Sequence, residues 1–314
     1  MFDYFYIFLN KIKLRMPKYT NVAIVASFLG LWIDSFFSHD VQIAIGFVLI
    51  FSFGIMHGAN DLLLIENVNT KKQSFSYFQL LSYYIAMVLL VTLLFYFVAW
   101  LALILFLIVS AYHFGEQQWQ ALEFFSLWIR IAFQFCYGSF VLLLLFAFHN
   151  LEVQRIIFEI SSHFISTDWM QYLLAFFSIM LIGLGSYLYT KSDQIRKQLL
   201  TELFYLIVFT ILFKSSSLIW GFALYFVLWH SIPSIIDQIK FLYGTFSKVN
   251  VILYLKAALL YWMISLIGIA TLYFLFKGEK IFNALFFSFL AAITFPHVLV
   301  IVKVFGKNST GSIK

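Results

Sequence analysis

The chain has 314 residues, of which 63% are hydrophobic and only 11% are charged. Soluble domains carry roughly 25% charged residues, so this composition excludes a soluble protein and indicates an all-α, polytopic integral membrane protein. The net charge of +6 implies no nucleic-acid partner, because the basic residues fall mainly in short loops, where they set membrane orientation. The single cysteine, Cys136, excludes both a disulfide framework and a cysteine-based zinc site.

Apolar runs predict about ten transmembrane helices, because crossing the hydrocarbon core takes about 20 apolar residues. The stretch from Gln73 to Gly115 contains no Asp, Glu, Lys or Arg, is too long for one span, and predicts a helical hairpin that turns near Phe97. The seventh run is short, which is typical of a tilted, broken or partly re-entrant segment. The ten runs are 21–37, 41–58, 77–96, 98–115, 124–147, 169–190, 199–213, 216–233, 251–276 and 281–304.

The basic residues predict that the N-terminus and the C-terminus are both cytoplasmic. With the N-terminus inside, fourteen of the 20 Lys and Arg residues fall in inside segments and four fall in outside loops, as the positive-inside rule requires. Residues 1–20 do not follow the order of a signal peptide, and we expect an uncleaved amphipathic arm on the cytoplasmic surface. Residues 305–314 are expected to form a short cytoplasmic tail, so that residues 1–314 make one membrane domain.

Four histidines close, or nearly close, the second, fourth, eighth and tenth apolar runs: His57, His113, His230 and His297. The predicted topology places all four toward the cytoplasmic leaflet. An imidazole inside a bilayer is costly and usually functional, and neutral imidazole is the commonest metal ligand in proteins. One such histidine could simply bond the last carbonyls of its helix, but four at one depth predict a single shared ion. An all-nitrogen site suits iron, copper, nickel or zinc.

Two carboxylates accompany these histidines. Asp61 lies four residues after His57, and Glu116 lies three residues after His113. Residues at this spacing share a helix face, and a carboxylate there could accept the second ring N–H of a ligand histidine and fix its orientation. The alternative is an ordinary interfacial charge at a helix end.

Small and aromatic residues also flank the histidines. Gly58 and Gly115 are interpreted as helix C-caps, although either could instead allow helices to approach closely. Tyr112 and Trp229, each beside a histidine, are candidates for the walls of a substrate pocket or for the aromatic belt at the membrane interface.

At these motifs the chain resembles the Brp/Blh family, the integral-membrane β-carotene 15,15'-dioxygenases of bacteria and archaea that make retinal for microbial rhodopsins. The similar stretches are GIMHGANDLLLIE, SAYHFGEQQW, WHSIPSIIDQ and FPHVLVI, which span residues 54–301. No single stretch is decisive, whereas the four together, in this order and at this spacing, are specific.

The resemblance implies an Fe(II) centre held by the four histidines, with the family's motif acid on Asp61. It also implies oxidative cleavage of the central double bond of β-carotene by O2 to give two retinals. A membrane-dissolved carotenoid and O2 would then be the substrates, with possible hand-off of retinal to a microbial rhodopsin. We expect a multi-pass protein of the cell inner membrane.

This sequence departs from the family pattern at two positions. Met56 stands where the family often has proline, and Ser234 stands where it often has a second histidine, four residues after His230. Ser234 is therefore predicted to lie beside the metal ligands, and His297 or water would take the missing ligand position.

Three other functions fit parts of the pattern. Two histidines on facing helices could hold a b-type haem for electron transfer. A retinal-binding rhodopsin would need a Schiff-base lysine within a helix and a nearby carboxylate, for which Lys256 and Asp34 are the candidates. A histidine-gated transporter is the third alternative, but paired inverted halves of the kind found in many transporters are not visible in the sequence.

Overall fold

The computed structural model describes residues 18–69, 76–120, 122, 124–276 and 281–305. Within these ranges the chain consists of helices and short connections with no strand, which confirms the all-α class. Most of the predicted arm, residues 1–17, and most of the predicted tail, residues 306–314, lie outside the described residues. Their cytoplasmic placement stays a prediction.

Thirteen α-helices and two π-helical turns follow one another along the described part of the chain. They are α1 (Lys18–Asp34), α2 (His39–Leu49), π1 (Ile50–Gly54), α3 (Asp61–Asn69), α4 (Tyr77–Phe97), α5 (Ala99–Trp119), α6 (Leu127–Phe148), α7 (Asn150–Ser161), α8 (Thr167–Lys191), α9 (Asp193–Ser215), α10 (Leu218–Tyr225), π2 (Phe226–Ser231), α11 (Ile232–Tyr243), α12 (Lys248–Phe276) and α13 (Ile281–Phe305).

Eight helical stretches of the described chain are long and apolar enough to cross a membrane, by length and composition. They correspond to the third through tenth predicted runs. The first two predicted runs coincide with apolar helices that are shorter, Tyr19–Asp34 and His39–Gly54. The protein is therefore a polytopic helical membrane protein, and a total of ten crossings stays a prediction.

The predicted hairpin is confirmed. Of the expectations for the seventh run, a broken segment is wrong, and a tilted one stays a prediction. Helix α4 ends at Phe97 and α5 begins at Ala99, so the turn falls where the charge-free stretch indicated. The seventh run belongs to α9, a continuous helix of 23 residues. Its polar first turns hid its length, and the Ser192 hydroxyl caps its start by accepting from the Ile195 N–H at 3.3 Å.

Close contact between α5 and α6 depends on two glycines. A Cβ placed on Gly115 would lie 1.8 Å from the Gln134 carbonyl oxygen, and one placed on Gly138 would lie 1.8 Å from the Ala111 carbonyl oxygen. Gly115 lies inside α5, so its interpretation as a helix cap is wrong. Small residues that let backbones approach closely are common where membrane helices pack. Here they hold α5 against α6 at Gly115, two residues after His113.

Helix α7 was not predicted. It is strongly amphipathic, and its 12 residues are too short for a membrane crossing of about 20 residues. Val153 and Ile160 are buried, whereas Arg155 and Glu159 pair on the exposed side at 4.0 Å. Such a helix is typical of one that lies in the membrane interface with its apolar side against the protein or the lipid.

Candidate metal centre

The four histidines, here called the histidine cluster, meet in the interior of the bundle. His57 follows π1, His113 lies on α5, His230 lies in π2 and His297 lies on α13. All four are buried, with relative exposures of 6% or less. The sequence-based prediction that these helices bring their histidines together is supported by the geometry.

The imidazoles form a closed ring of contacts in which each touches two others. The ring centroid of His57 lies 4.6 Å from that of His297 and 5.1 Å from that of His230. His113 lies 4.7 Å from His230 and 5.1 Å from His297. Neighbouring planes are close to perpendicular, at 83° to 88°.

Three of the four form the tightest set of potential ligand atoms. One ring nitrogen from each of His57, His113 and His297 lies within 4.8 Å of the other two. His230 is not in this set, although its ring lies against those of His57 and His113. The structure therefore supplies three close donors and a fourth adjoining one.

Every ring of the cluster carries at least one buried nitrogen that finds no hydrogen-bond partner within the described ranges. These atoms are Nδ1 of His57, both ring nitrogens of His113, Nε2 of His230 and Nε2 of His297. Buried polar atoms without partners are costly and call for an explanation. Five of them in one place fit a site whose donors face a ligand.

The ring spacing fits a single transition-metal ion. A coordinating imidazole nitrogen lies about 2.1 Å from the ion, so its ring centre lies roughly 3.2 Å away, and two rings at tetragonal to tetrahedral angles lie roughly 4.5 to 5.2 Å apart. The four measured separations, 4.6 to 5.1 Å, fall in that interval. A donor set of neutral imidazoles suits iron, copper, nickel or zinc.

Asp61 orients His297. Its Oδ1 lies 2.8 Å from Nδ1 of His297, which leaves Nε2 of that ring to face the cluster. The hydroxyl of Tyr84 donates to Asp61 Oδ2 at 3.2 Å. The sequence predicted that Asp61 could bond a cluster histidine because a helix would continue from His57 to Asp61. That reason is wrong, because residues 57–60 form a turn before α3.

A second set of bonds holds the backbone at His57. The side chain of Gln238 donates to the His57 carbonyl at 2.7 Å and to the Ser234 hydroxyl at 3.0 Å. Tyr254 in turn donates to Gln238 Oε1 at 2.8 Å. Ser234 is thus linked to the His57 carbonyl by two hydrogen bonds through Gln238, and its place beside metal ligands stays a prediction.

His230 is held from its backbone and from its ring face. Gln117 donates to the His230 carbonyl at 2.8 Å, and the ring of Phe226 stacks on the imidazole at 5.3 Å with an angle of 14°. Phe114 meets the same imidazole edge-on at 4.7 Å. These contacts fix the ring orientation in the π2 turn, and π-helical turns are frequent at functional sites.

Glu116 is buried one turn beyond His113, with 4% exposure. Arg130, which is also buried, lies close enough for its charge to act on the Glu116 carboxylate. Its Oε2 finds no hydrogen-bond partner in the part of the chain that the structure describes. Glu116 thus adjoins the cluster, but no hydrogen bond to a cluster ring supports its predicted role of orienting one.

A largely apolar cavity of about 160 Å³ begins at the histidine cluster and is partly open to the outside. Among the described residues that line it, Ser110 and Thr294 are the only polar ones besides the histidines. A lining of this character suits an apolar molecule that lies against the imidazoles.

Neither Tyr112 nor Trp229 is among the residues that line this cavity. Trp229 instead donates to the Ser27 hydroxyl at 3.0 Å and packs against Phe209 with 4.8 Å between ring centroids, so it ties α1 and α9 to π2. Its role, as the structure places it, is in helix packing rather than in a pocket wall.

Sequence reasoning missed the aromatic residues that line the cavity, which are Phe106, Phe114, Phe146, Phe222 and Phe226. Phe226 lies four residues before His230, on the same helical face, and Phe114 directly follows His113. Their spacing from the histidines was a usable signal, but among 41 phenylalanines it does not stand out without the fold.

The fold and the site together define a polytopic helical membrane protein whose buried imidazoles border an apolar cavity. The model of the β-carotene 15,15'-dioxygenase family matches residues 48–304, a range that contains the whole histidine cluster. The chain belongs to this family, and it is an enzyme of the carotenoid dioxygenase class. No curated protein and no solved structure matches the chain.

Proposed function

We propose that this protein cleaves the central 15,15' double bond of β-carotene with O2, giving two retinals, at an Fe(II) centre held by the histidine cluster. The family supplies the reaction class. The observation that carries the metal site is the convergence of buried, unpartnered ring nitrogens at one end of an apolar cavity.

The stoichiometry needs no additional oxidant or reductant. The double bond breaks, and each of its two carbons gains one oxygen atom of the same O2 molecule, so the products are two aldehydes. Bound Fe(II) would supply the electron chemistry that lets O2 react with a closed-shell polyene.

The protein's own residues position the substrate and exclude water from the cavity. Phe226 and Phe114 border both the cavity and the His230 ring, so they can hold a flat polyene beside the cluster. The apolar lining excludes water, which protects a reactive oxygen species from side reactions. Asp61 keeps His297 in the tautomer whose Nε2 faces the cluster, as carboxylates do for metal-bound histidines.

The substrate would enter sideways from the bilayer. Carotenoids dissolve in lipid, and the cavity lining matches them because it is apolar apart from the cluster, Ser110 and Thr294. Location in the cell inner membrane and release of retinal to a microbial rhodopsin belong to this proposal as well.

The geometry disfavours two of the alternatives. A b-type haem places a wide macrocycle between two axial histidines, whereas here four imidazoles at 4.6 to 5.1 Å occupy the space around one centre. A Schiff-base role for Lys256 would require burial, but this side chain is exposed on α12. No observation specifically favours a transporter.

The test replaces each cluster histidine by alanine, with His163→Ala as the matched control, because His163 is an exposed histidine outside the cluster. We expect wild type and His163→Ala to bind about one iron per chain and to convert β-carotene to retinal. Loss of a metal ligand should reduce retinal formation by at least about a hundredfold. Full iron content and full turnover in His57→Ala or His230→Ala would overturn the assigned site.

A further inference from the structure

The cavity has a defined far end, opposite the histidine cluster. Along α5 its lining begins at Leu103 and reaches His113, and along α10 and π2 it begins at Leu218 and reaches His230. At about 1.5 Å per helical residue, these runs are roughly 15 and 18 Å long. The cavity is thus a slot of defined depth with the cluster at one end.

Helix α7 closes the other end. Its four cavity-lining residues are Val153, Ile156, Ile157 and Ile160, a spacing that puts them on one helical face. Ile160 packs in one apolar cluster with Leu103 and with Ala291 of α13. The apolar face of α7, together with Leu103 of α5, therefore forms a floor, here called the α7 floor, made of Val153, Ile156, Ile157, Ile160 and Leu103.

The depth of the slot matches one half of the proposed substrate. An extended carbon chain advances roughly 1.2 Å per bond, so the nine bonds from the central carbon to the ring span about 11 Å, and the ring adds roughly 3 Å. The resulting length of about 14 Å, by the same bond geometry, is close to the separation of Leu103 and His113 along α5. A terminal ring on the α7 floor puts the central double bond at the cluster.

We infer that the α7 floor receives a terminal ring of the carotenoid and thereby selects the double bond that is cleaved. This inference rests on the proposed function. The polyene is stiff, so the position of the terminal ring fixes which double bond lies at the histidine cluster. The neighbouring double bond lies two bonds away, roughly 2.4 Å, which is about the length that an isoleucine side chain loses when it is replaced by alanine.

The experiment changes the floor and identifies the products. Ile160→Ala and Leu103→Ala deepen the slot independently from two helices, and Val153→Phe makes it shallower. Leu151→Ala is the matched control, because Leu151 lies on the same helix but is 73% exposed. Each variant is purified in detergent with iron and given β-carotene, and separately a shortened carotenoid aldehyde that keeps only one ring.

The one-ringed substrate reports the direction of the shift. Wild type and Leu151→Ala should yield retinal from its ringed half. A deeper slot should yield a ringed aldehyde two carbons longer than retinal, and a shallower slot a ringed ketone two carbons shorter. A missing methylene in an apolar pocket is worth about tenfold or more in discrimination, so preference for the central bond should fall by about that factor.

The outcomes separate the two proposals. If wild type with iron never forms retinal from β-carotene, the proposed function fails. If wild type forms retinal and both deepening variants still give retinal alone at the wild-type rate, the α7 floor does not set the cleavage position. Should one deepening variant fail to fold, the other carries the same test.

Discussion

The orientation of His297 depends on a carboxylate from a different helix. Asp61 lies at the start of α3, 236 positions away in the sequence, and its Oδ1 is 2.8 Å from Nδ1 of His297. Both side chains are almost fully buried, so this hydrogen bond has no competing water. A buried carboxylate of this kind fixes the ring and raises its strength as a ligand.

Asp61→Asn should preserve the shape of the site while removing the charged acceptor. We expect iron affinity or turnover to fall by about 10-fold to 100-fold, because loss of a partner of a ligand histidine has effects of that size. Iron content and retinal formation are the measurements. Glu66→Gln, the same type of change at an exposed position of α3, should behave as wild type, and equal effects of the two changes would contradict the assigned role.

At the scale of elements, the position of His113 is set by how closely α5 meets α6. The two backbones approach until a Cβ at Gly115 would overlap the Gln134 carbonyl at 1.8 Å. Because the neighbouring atom is backbone, it cannot rotate out of the way. The crossing point therefore admits only glycine, and His113, two residues away, depends on it.

Gly115→Ala should lower the free energy of unfolding by about 2 kcal/mol or more, since overpacking forces the backbones apart. Gly183→Ala is the control, because a Cβ there meets nothing within 4 Å and alanine is favoured over glycine in a helix by roughly 0.5 to 1 kcal/mol. Thermal unfolding in detergent compares the two. If Gly115→Ala is as stable as Gly183→Ala, the tight crossing is incorrect.

At the scale of the whole molecule, the predicted topology places the histidine cluster near the inner leaflet and the α7 floor near the outer one. The loop after α7 would face outward and the loop between α11 and α12 inward. The single native cysteine, Cys136, is buried, so introduced cysteines can report the side of the membrane without removing it.

Phe164→Cys and Thr245→Cys test this orientation, since both positions are exposed and lie in the two loops. In intact cells a membrane-impermeant maleimide should label Phe164→Cys, and it should label Thr245→Cys only after the membrane is opened. Cys136 in the unaltered protein should stay unlabelled in both conditions. The reverse pattern would show that the charge distribution misassigned the topology.

The sequence by itself determined the membrane class, the hairpin turn at Phe97 and the four histidines that meet in the core. Apolar run length and the cost of a buried imidazole are local properties, so they can be read from the sequence. Only the tertiary structure decided that Asp61 serves His297, that Phe226 rather than Trp229 borders the cavity, and that α7 closes it. Such contacts depend on how helices rotate and cross, and the π-helical turns shift which residues face inward at the site.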